Sequence, residues 1–268
     1  MLRHLFFSFL AAMAPLPSAA QTNQALAALQ VLPGWVTASG TRMVAFQITL
    51  EDGWKTYWRS PGDAGIPPHF GWEGSRNLEE VSVHWPQPQV FHDYGLRTVG
   101  YENELVLPIE LTSRAAGAPI RLAGSVSIGI CKDICVPVEL AFDAELSGAG
   151  QKDQAISAAL KSRPVPAASA GMGRAVCSVA PIDDGLRVSA QIEVPSGSPD
   201  VIAIMELADP SVWVSDAQVT RTSGGLEVTA DMVPPEAAPF AMARRDVRIT
   251  LVGQERAYEL QGCDAAAG

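Results

Sequence analysis

The chain has 268 residues, of which 47% are hydrophobic and 18% charged, with Gly 23, Pro 20 and a formal net charge of −10. That apolar content excludes global disorder. The acidic balance, with no block of Lys or Arg, excludes nucleic-acid binding, since neutralising phosphates needs clustered cations.

Met1 to Ala20 read as an export signal. Arg3 and the amino terminus supply positive charge, Leu5 to Met13 form a short apolar stretch, and Ser18-Ala19-Ala20 supply small residues for cleavage before Gln21. The apolar stretch is shorter than the roughly 20 residues that span a bilayer. No later stretch qualifies either, so no membrane insertion of the mature chain is expected. The expected location is the periplasm, where disulfides persist.

Residues 31–147 are dense in short β-forming runs, such as Met43 to Leu50, Val81 to Trp85 and Leu105 to Leu111. Turn sequences separate them: Asp52-Gly53, Pro61-Gly62-Asp63 and Glu73-Gly74-Ser75. This pattern predicts an antiparallel sandwich. Trp35, Trp54, Trp58, Trp72 and Trp85 fall in this half and suit core and sheet packing. A weak helical pattern runs from Gln151 to Arg163, and Pro164 to Gly171 has linker composition. A second β pattern follows from Cys177 to Asp264. In it Leu186 to Ile192 alternate, and the unbroken apolar run Val201 to Met205 reads as a central strand. The expected organisation is a signal over 1–20, a β domain over 21–150, a short helix and linker over 151–176, and a second, smaller β-sandwich over 177–268. At this length two domains are the natural division.

The four cysteines carry the chemistry. On the strand entering Cys131, Leu122, Val126, Ile128 and Ile130 share one face, while Arg121, Ser125, Ser127 and Cys131 share the other. On the strand leaving Cys135, Val136, Val138, Leu140 and Phe142 face the core, and Cys135, Glu139 and Asp143 oppose them. With Lys132-Asp133-Ile134 as a hairpin loop, both cysteines point away from the core and face each other. Opposed Cβ atoms in such a pair lie about 4.5–5.5 Å apart, close enough for a bond after local adjustment. Three uses fit this C-x3-C: a structural hairpin bridge, an exchanging redox pair, or a Cu(I) site on Cys131 and Cys135. So short a loop gains little stability from closure, which favours chemistry. Cys177 and Cys263 bracket the second β region. Their pairing would close a long loop, worth on the order of 4–5 kcal/mol in the chain-entropy account.

Asp52 to Pro67 (Asp-Gly-Trp-Lys-Thr-Tyr-Trp-Arg-Ser-Pro-Gly-Asp-Ala-Gly-Ile-Pro) resembles the start of the periplasmic N-terminal domain of the DsbD/ScsB family of thiol:disulfide interchange proteins. Phe91-His92-Asp93-Tyr94-Gly95, Tyr101 to Leu111, and Cys131 to Pro137 follow in the family's order. The resemblance covers roughly residues 30–147, and the C-x3-C spacing is closer to ScsB than to DsbD. It implies an immunoglobulin-like sandwich carrying a redox pair, Cys131 and Cys135; with the second β pattern, the expected fold is all-β, two immunoglobulin-like β-sandwich domains in tandem. It also implies a loop from Phe91 to Gly95 capping the sulfurs, with Tyr57 near them. The family's capping aromatic falls where this chain has Asp93, so Phe91 or Tyr94 would shield the pair instead. His92 fits a surface histidine better than a proton shuttle.

The implied function is protein-disulfide reductase or interchange activity that needs no cofactor. Electrons would pass from a membrane donor of the DsbD/ScsB type, or a thioredoxin-like donor, to periplasmic clients, with Cys135 the partner-facing sulfur. Family members that continue into a membrane channel and a thioredoxin-like domain carry their own donor; this chain is expected to use a separate one. The contrasting reading is a non-enzymatic module that binds Cu(I) or docks a protein, with a structural hairpin disulfide. No Ser-His-Asp order, phosphate loop or paired-carboxylate signature supports hydrolysis.

Overall fold

The computed structural model describes residues 26–62, 64–93 and 95–266; the expected signal segment lies outside them. The first ten strands are β1 (Ala27–Val36), β2 (Arg42–Leu50), β3 (Lys55–Tyr57), β4 (His69–Gly71), β5 (Leu78–Val83), β6 (Gln89–Asp93), β7 (Leu96–Glu102), β8 (Glu104–Ser113), β9 (Ile120–Cys131) and β10 (Cys135–Leu146). They make two facing sheets, β1-β2-β8-β5 and β10-β9-β3-β7-β6, with β4 added to β9. Every ladder here is antiparallel.

Alternation sets the core. Val44, Phe46 and Ile48 of β2 meet Leu122, Val126, Ile128 and Ile130 of β9, all essentially buried. Phe142 lies 4.6 Å from Phe46, and Trp72 lies 5.8 Å from the same ring, measured between ring centroids. Trp58 is fully buried in this core and Trp54, Trp72 and Trp85 pack against it, so these tryptophans serve packing as their sequence context suggests.

The opposite face of β2 is also covered. Helix α1 (Gln154–Lys161) begins where the Asp153 carboxylate accepts from Ile156 N at 3.0 Å, an N-cap that satisfies one free backbone donor. Its buried Ile156 packs on Met43 and Ala45.

The remaining strands are β11 (Val165–Pro166), β12 (Ala175–Ile182), β13 (Gly185–Ile192), β14 (Ile202–Leu207), β15 (Trp213–Val214), β16 (Gln218–Thr222), β17 (Gly225–Val233), β18 (Val247–Val252), β19 (Ala257–Gln261) and β20 (Asp264–Ala265). They form a second sandwich from sheets β11-β19-β18-β14 and β15-β17-β13-β12-β20, with β16 on β17. The chain is thus all-β, with two immunoglobulin-like sandwiches in tandem. Part of the stretch with linker composition enters the second sandwich: Val165 and Pro166 pair with β19, and Ala167 is buried in its core.

One strand departs from its sequence reading. Ile202 to Leu207 is an edge strand rather than a central one. Its apolar run is unbroken because both faces are covered. Ala203 and Met205 join the second core, whereas Ile202 and Ile204 pack on the first. A strand buried on both faces loses alternation whatever its place in the sheet.

Candidate functional site

The β9–β10 hairpin builds the site. Its register sets Cys131 opposite Cys135, Ile130 opposite Val136 and Ile128 opposite Val138. Lys132 N donates to Ile134 O at 3.2 Å, so the cysteines occupy the next, non-hydrogen-bonded pair. Backbones approach most closely at such pairs, at about 4.5 Å, and the Cα atoms of Cys131 and Cys135 are 4.2 Å apart with the sulfurs bonded.

The two sulfurs differ in access. Cys135 is exposed, whereas Cys131 is 8% exposed although it points away from the core. Strand β3 explains the difference. Lys55 pairs with Cys131 and Thr56 with Ile130, so Lys55 and Tyr57 stand on the cysteine face. The Tyr57 hydroxyl lies 2.7 Å from Cys131 Sγ and 3.3 Å from Cys135 Sγ. Sulfurs joined in a disulfide carry no hydrogen, so the phenol donates.

Small residues leave room for that ring. A Cβ at Gly129 would stand 3.1 Å from Tyr57 Cδ2 and 2.6 Å from Ile66 Cβ; one at Gly65 would stand 3.0 Å from Tyr57 Cδ1. Tyr57 therefore lies between two glycines, with Ile66 folded over β9 beside it.

The other residues named from the sequence divide. Phe91 is half-buried, with Lys55 Nζ 4.4 Å from its ring centroid, which brings it beside the strand that carries Tyr57. His92 is exposed and lines a cleft of about 1050 Å³ between the sandwiches with Gln87, Arg163 and Arg256; neither cysteine belongs to its walls. Gly95 turns the β6–β7 hairpin with φ +80°. Tyr94 and the side chain of Asp93 lie outside the described residues. Lys132 Nζ donates to Asp52 O at 2.9 Å. Ile134, between the cysteines, is 65% exposed and presents an apolar side chain at the hairpin tip.

Lys55 and Ile66 belong to the site and had no signal of their own in the sequence. Lys55 reaches Cys131 through a strand pairing and Ile66 packs over Gly129, both contacts between segments far apart in the chain. A retrospective clue for Lys55 is its two-residue spacing from Tyr57.

Cys177 on β12 is fully buried and bonded to Cys263, with Cα atoms 5.7 Å apart and a separation of 86 positions in sequence. Cys263 immediately precedes β20, which pairs with β12 in parallel, so this bond ties the end of the second sandwich to its start. Among the described residues, no group of three or more His, Cys, Asp or Glu side chains is placed to hold a metal ion.

A sandwich that presents a cross-strand disulfide at a hairpin tip, one sulfur open and the other under a phenol, is equipped for thiol–disulfide chemistry. Residues 16–146 match the family model described as thiol:disulfide interchange protein DsbD, N-terminal, so this part of the chain is a DsbD N-terminal-like domain. The fold extends the likeness beyond it. The N-terminal periplasmic domain of ScsB from Proteus mirabilis superposes with a TM-score of 0.61 at 21% identity, over 95% of this chain and 97% of that one. That likeness shows a shared architecture across both sandwiches. No curated protein matches the sequence. Among the described residues, no helix is long and apolar enough to cross a membrane.

Proposed function

We propose that this chain is an exported relay module in which Cys131 and Cys135 exchange disulfides with thioredoxin-like periplasmic proteins, drawing electrons from a DsbD/ScsB-type membrane protein or a thioredoxin-like donor. The observation that carries the reading is the unequal access of the two sulfurs. A donor thiolate attacks the exposed Cys135 Sγ, the Cys131–Cys135 bond breaks, and Cys131 leaves as a thiolate that accepts from the Tyr57 hydroxyl. The donor's second thiol then attacks the mixed disulfide, releasing Cys135 and closing the donor's own disulfide. Two electrons and two protons have moved to the pair. The reduced pair passes them on by the same steps: Cys135 attacks a client disulfide and Cys131 resolves the intermediate. In this reading residues 21–150 form the exchanging domain after cleavage before Gln21, residues 177–268 form the second, and 151–176 connect them. Phe91, beside Lys55, shields the Cys131 side of the pair, and Cys177–Cys263 is a structural bond.

Trapping tests the assignment. Cys131→Ser leaves the accessible sulfur alone and should hold a stable mixed disulfide with a thioredoxin-like protein lacking its resolving cysteine. Cys135→Ser should trap much less, because Cys131 is covered. If neither variant forms the adduct with any such protein, the relay is wrong. A reduction potential far below about −300 mV would instead mark a structural bond.

A further inference from the structure

The segment that covers the disulfide is fastened to the other sandwich. From Tyr57 the chain runs through Trp58, Arg59 and Pro61 to Ile66. Trp58 N donates to Val99 O and Val99 N to Pro61 O, each at 3.0 Å, so the segment is laced to β7. Trp58 itself is fully buried. Arg59 lies across it, with the guanidinium carbon 4.0 Å from a Trp58 ring centroid. From there it reaches the second sandwich. Its Nε and Nη2 donate to the two carboxylate oxygens of Glu206 on β14 at 2.9 Å each, and Nη2 also to Glu259 on β19 at 2.9 Å.

The Arg59 side chain is 16% exposed. Burial alone would lower its pKa, but the hydrogen bond and charge of Glu206, joined by Glu259, raise it above the ordinary value. A second tie lies nearby: Arg97 Nη2 is 3.2 Å from Asp216 Oδ1, and that oxygen would stand 3.2 Å from a Cβ at Gly62.

We propose that the second sandwich braces the cysteine pair: Glu206 and Glu259, through Arg59, hold Tyr57 against Cys131 and Cys135 and so set how readily the disulfide is reduced. The proposal rests on the reading of Cys131–Cys135 as an exchanging pair. Arg59 is a positioning residue; it touches neither sulfur. The planar fork on Glu206 fixes its direction in a way a single point charge would not. One residue separates it from Tyr57, and that residue is the buried Trp58, which leaves little slack between them. A phenol donates more strongly to a thiolate than to a neutral disulfide sulfur. A well-placed Tyr57 therefore favours the reduced state, and loosening it returns the equilibrium toward the disulfide.

The test equilibrates the full chain with dithiothreitol and reads the fraction of reduced Cys131–Cys135. Arg59→Met should move the equilibrium constant toward the disulfide about tenfold, or about 30 mV for this two-electron couple. Tyr57→Phe should move it the same way. The double variant should match Tyr57→Phe alone, because one residue acts through the other. Glu259→Gln, which leaves the Glu206 fork intact, should give a smaller shift in the same direction and serves if Arg59→Met does not fold. An Arg59→Met or Glu259→Gln protein with a lowered Tm and an unchanged equilibrium overturns the brace. So does a double variant whose shift is the sum of the two. Since the readout needs only a small dithiol, failure to exchange with thioredoxin-like proteins would sink the relay and leave the brace result standing on its own.

Discussion

Gly129 sits where β9 passes beneath Tyr57 and Ile66. Any side chain there must displace one of them, since a methyl carbon would stand 2.6 Å from Ile66 Cβ. Such overpacking costs about 1–3 kcal/mol in a well-packed site. Gly129→Ala should therefore lower Tm and, by lifting the covering segment, expose Cys131. The expected signature is faster alkylation of the Cys131 thiol in a Cys135→Ser background, at a rate measured while the chain remains folded. A slower or unchanged rate would mean that Ile66 and Tyr57 do not guard the sulfur. The same geometry explains why two cysteines four positions apart differ: Cys135 lies on edge strand β10, and among the described residues no strand pairs with the outer side of β10 to cover it.

At the scale of elements, what was legible in the sequence was whatever lay close in sequence. The phase of residues 122–142 follows from alternation, and with it came the hairpin loop and the cysteines facing each other. The partner of that hairpin, β3, has only three residues, too few for its own pattern to declare a register. Tyr57 entered through family resemblance, and the hydrogen bond to the sulfurs 74 and 78 positions away could not be derived from spacing. Val201 to Met205 failed for a related reason: alternation reports how many faces are covered, not which neighbour covers them. Strand β8 carries a further non-local cluster. Glu110 accepts from the Thr41 hydroxyl and lies 3.1 Å from His84 Nε2. The Thr41 bond holds its pKa below the ordinary carboxylate value despite partial burial, with His84 and Arg163 adding to the effect. Asp231 is lowered in the same sense, chiefly by its bond to Arg187. Unfolding raises these pKa values, so the unfolded chain binds more protons. The stability they contribute is present above about pH 4–4.5 and is lost as pH falls through their lower folded values. Tm should thus drop on acidification from pH 5 to 3. Glu110→Gln should start lower at pH 5 and drop less. A drop as steep as that of the parent would remove Glu110 from the account.

On the scale of the molecule, the two sandwiches share buried material. Ile204, Val252 and Ala257 of the second are enclosed in the core of the first, and the Arg59 fork crosses the same boundary. A tandem pair joined only by a linker would unfold in two steps. Here separation would leave apolar β14, β18 and β19 side chains in water and strip Arg59 of both carboxylates, a penalty large enough to couple the halves. The tryptophans supply the probe, since Trp35, Trp54, Trp58, Trp72 and Trp85 all lie in the first half and Trp213 is half-exposed in the second. Fluorescence therefore follows mainly the first sandwich, while far-UV circular dichroism follows both. Denaturant curves from the two probes should coincide for the parent, the accepted sign of a single cooperative unit. Ile204→Asp places an unpaired charge at the buried junction, at a cost of several kcal/mol, and should pull the curves apart with the two midpoints separated. Separate midpoints already in the parent would show that the interface does not couple the sandwiches.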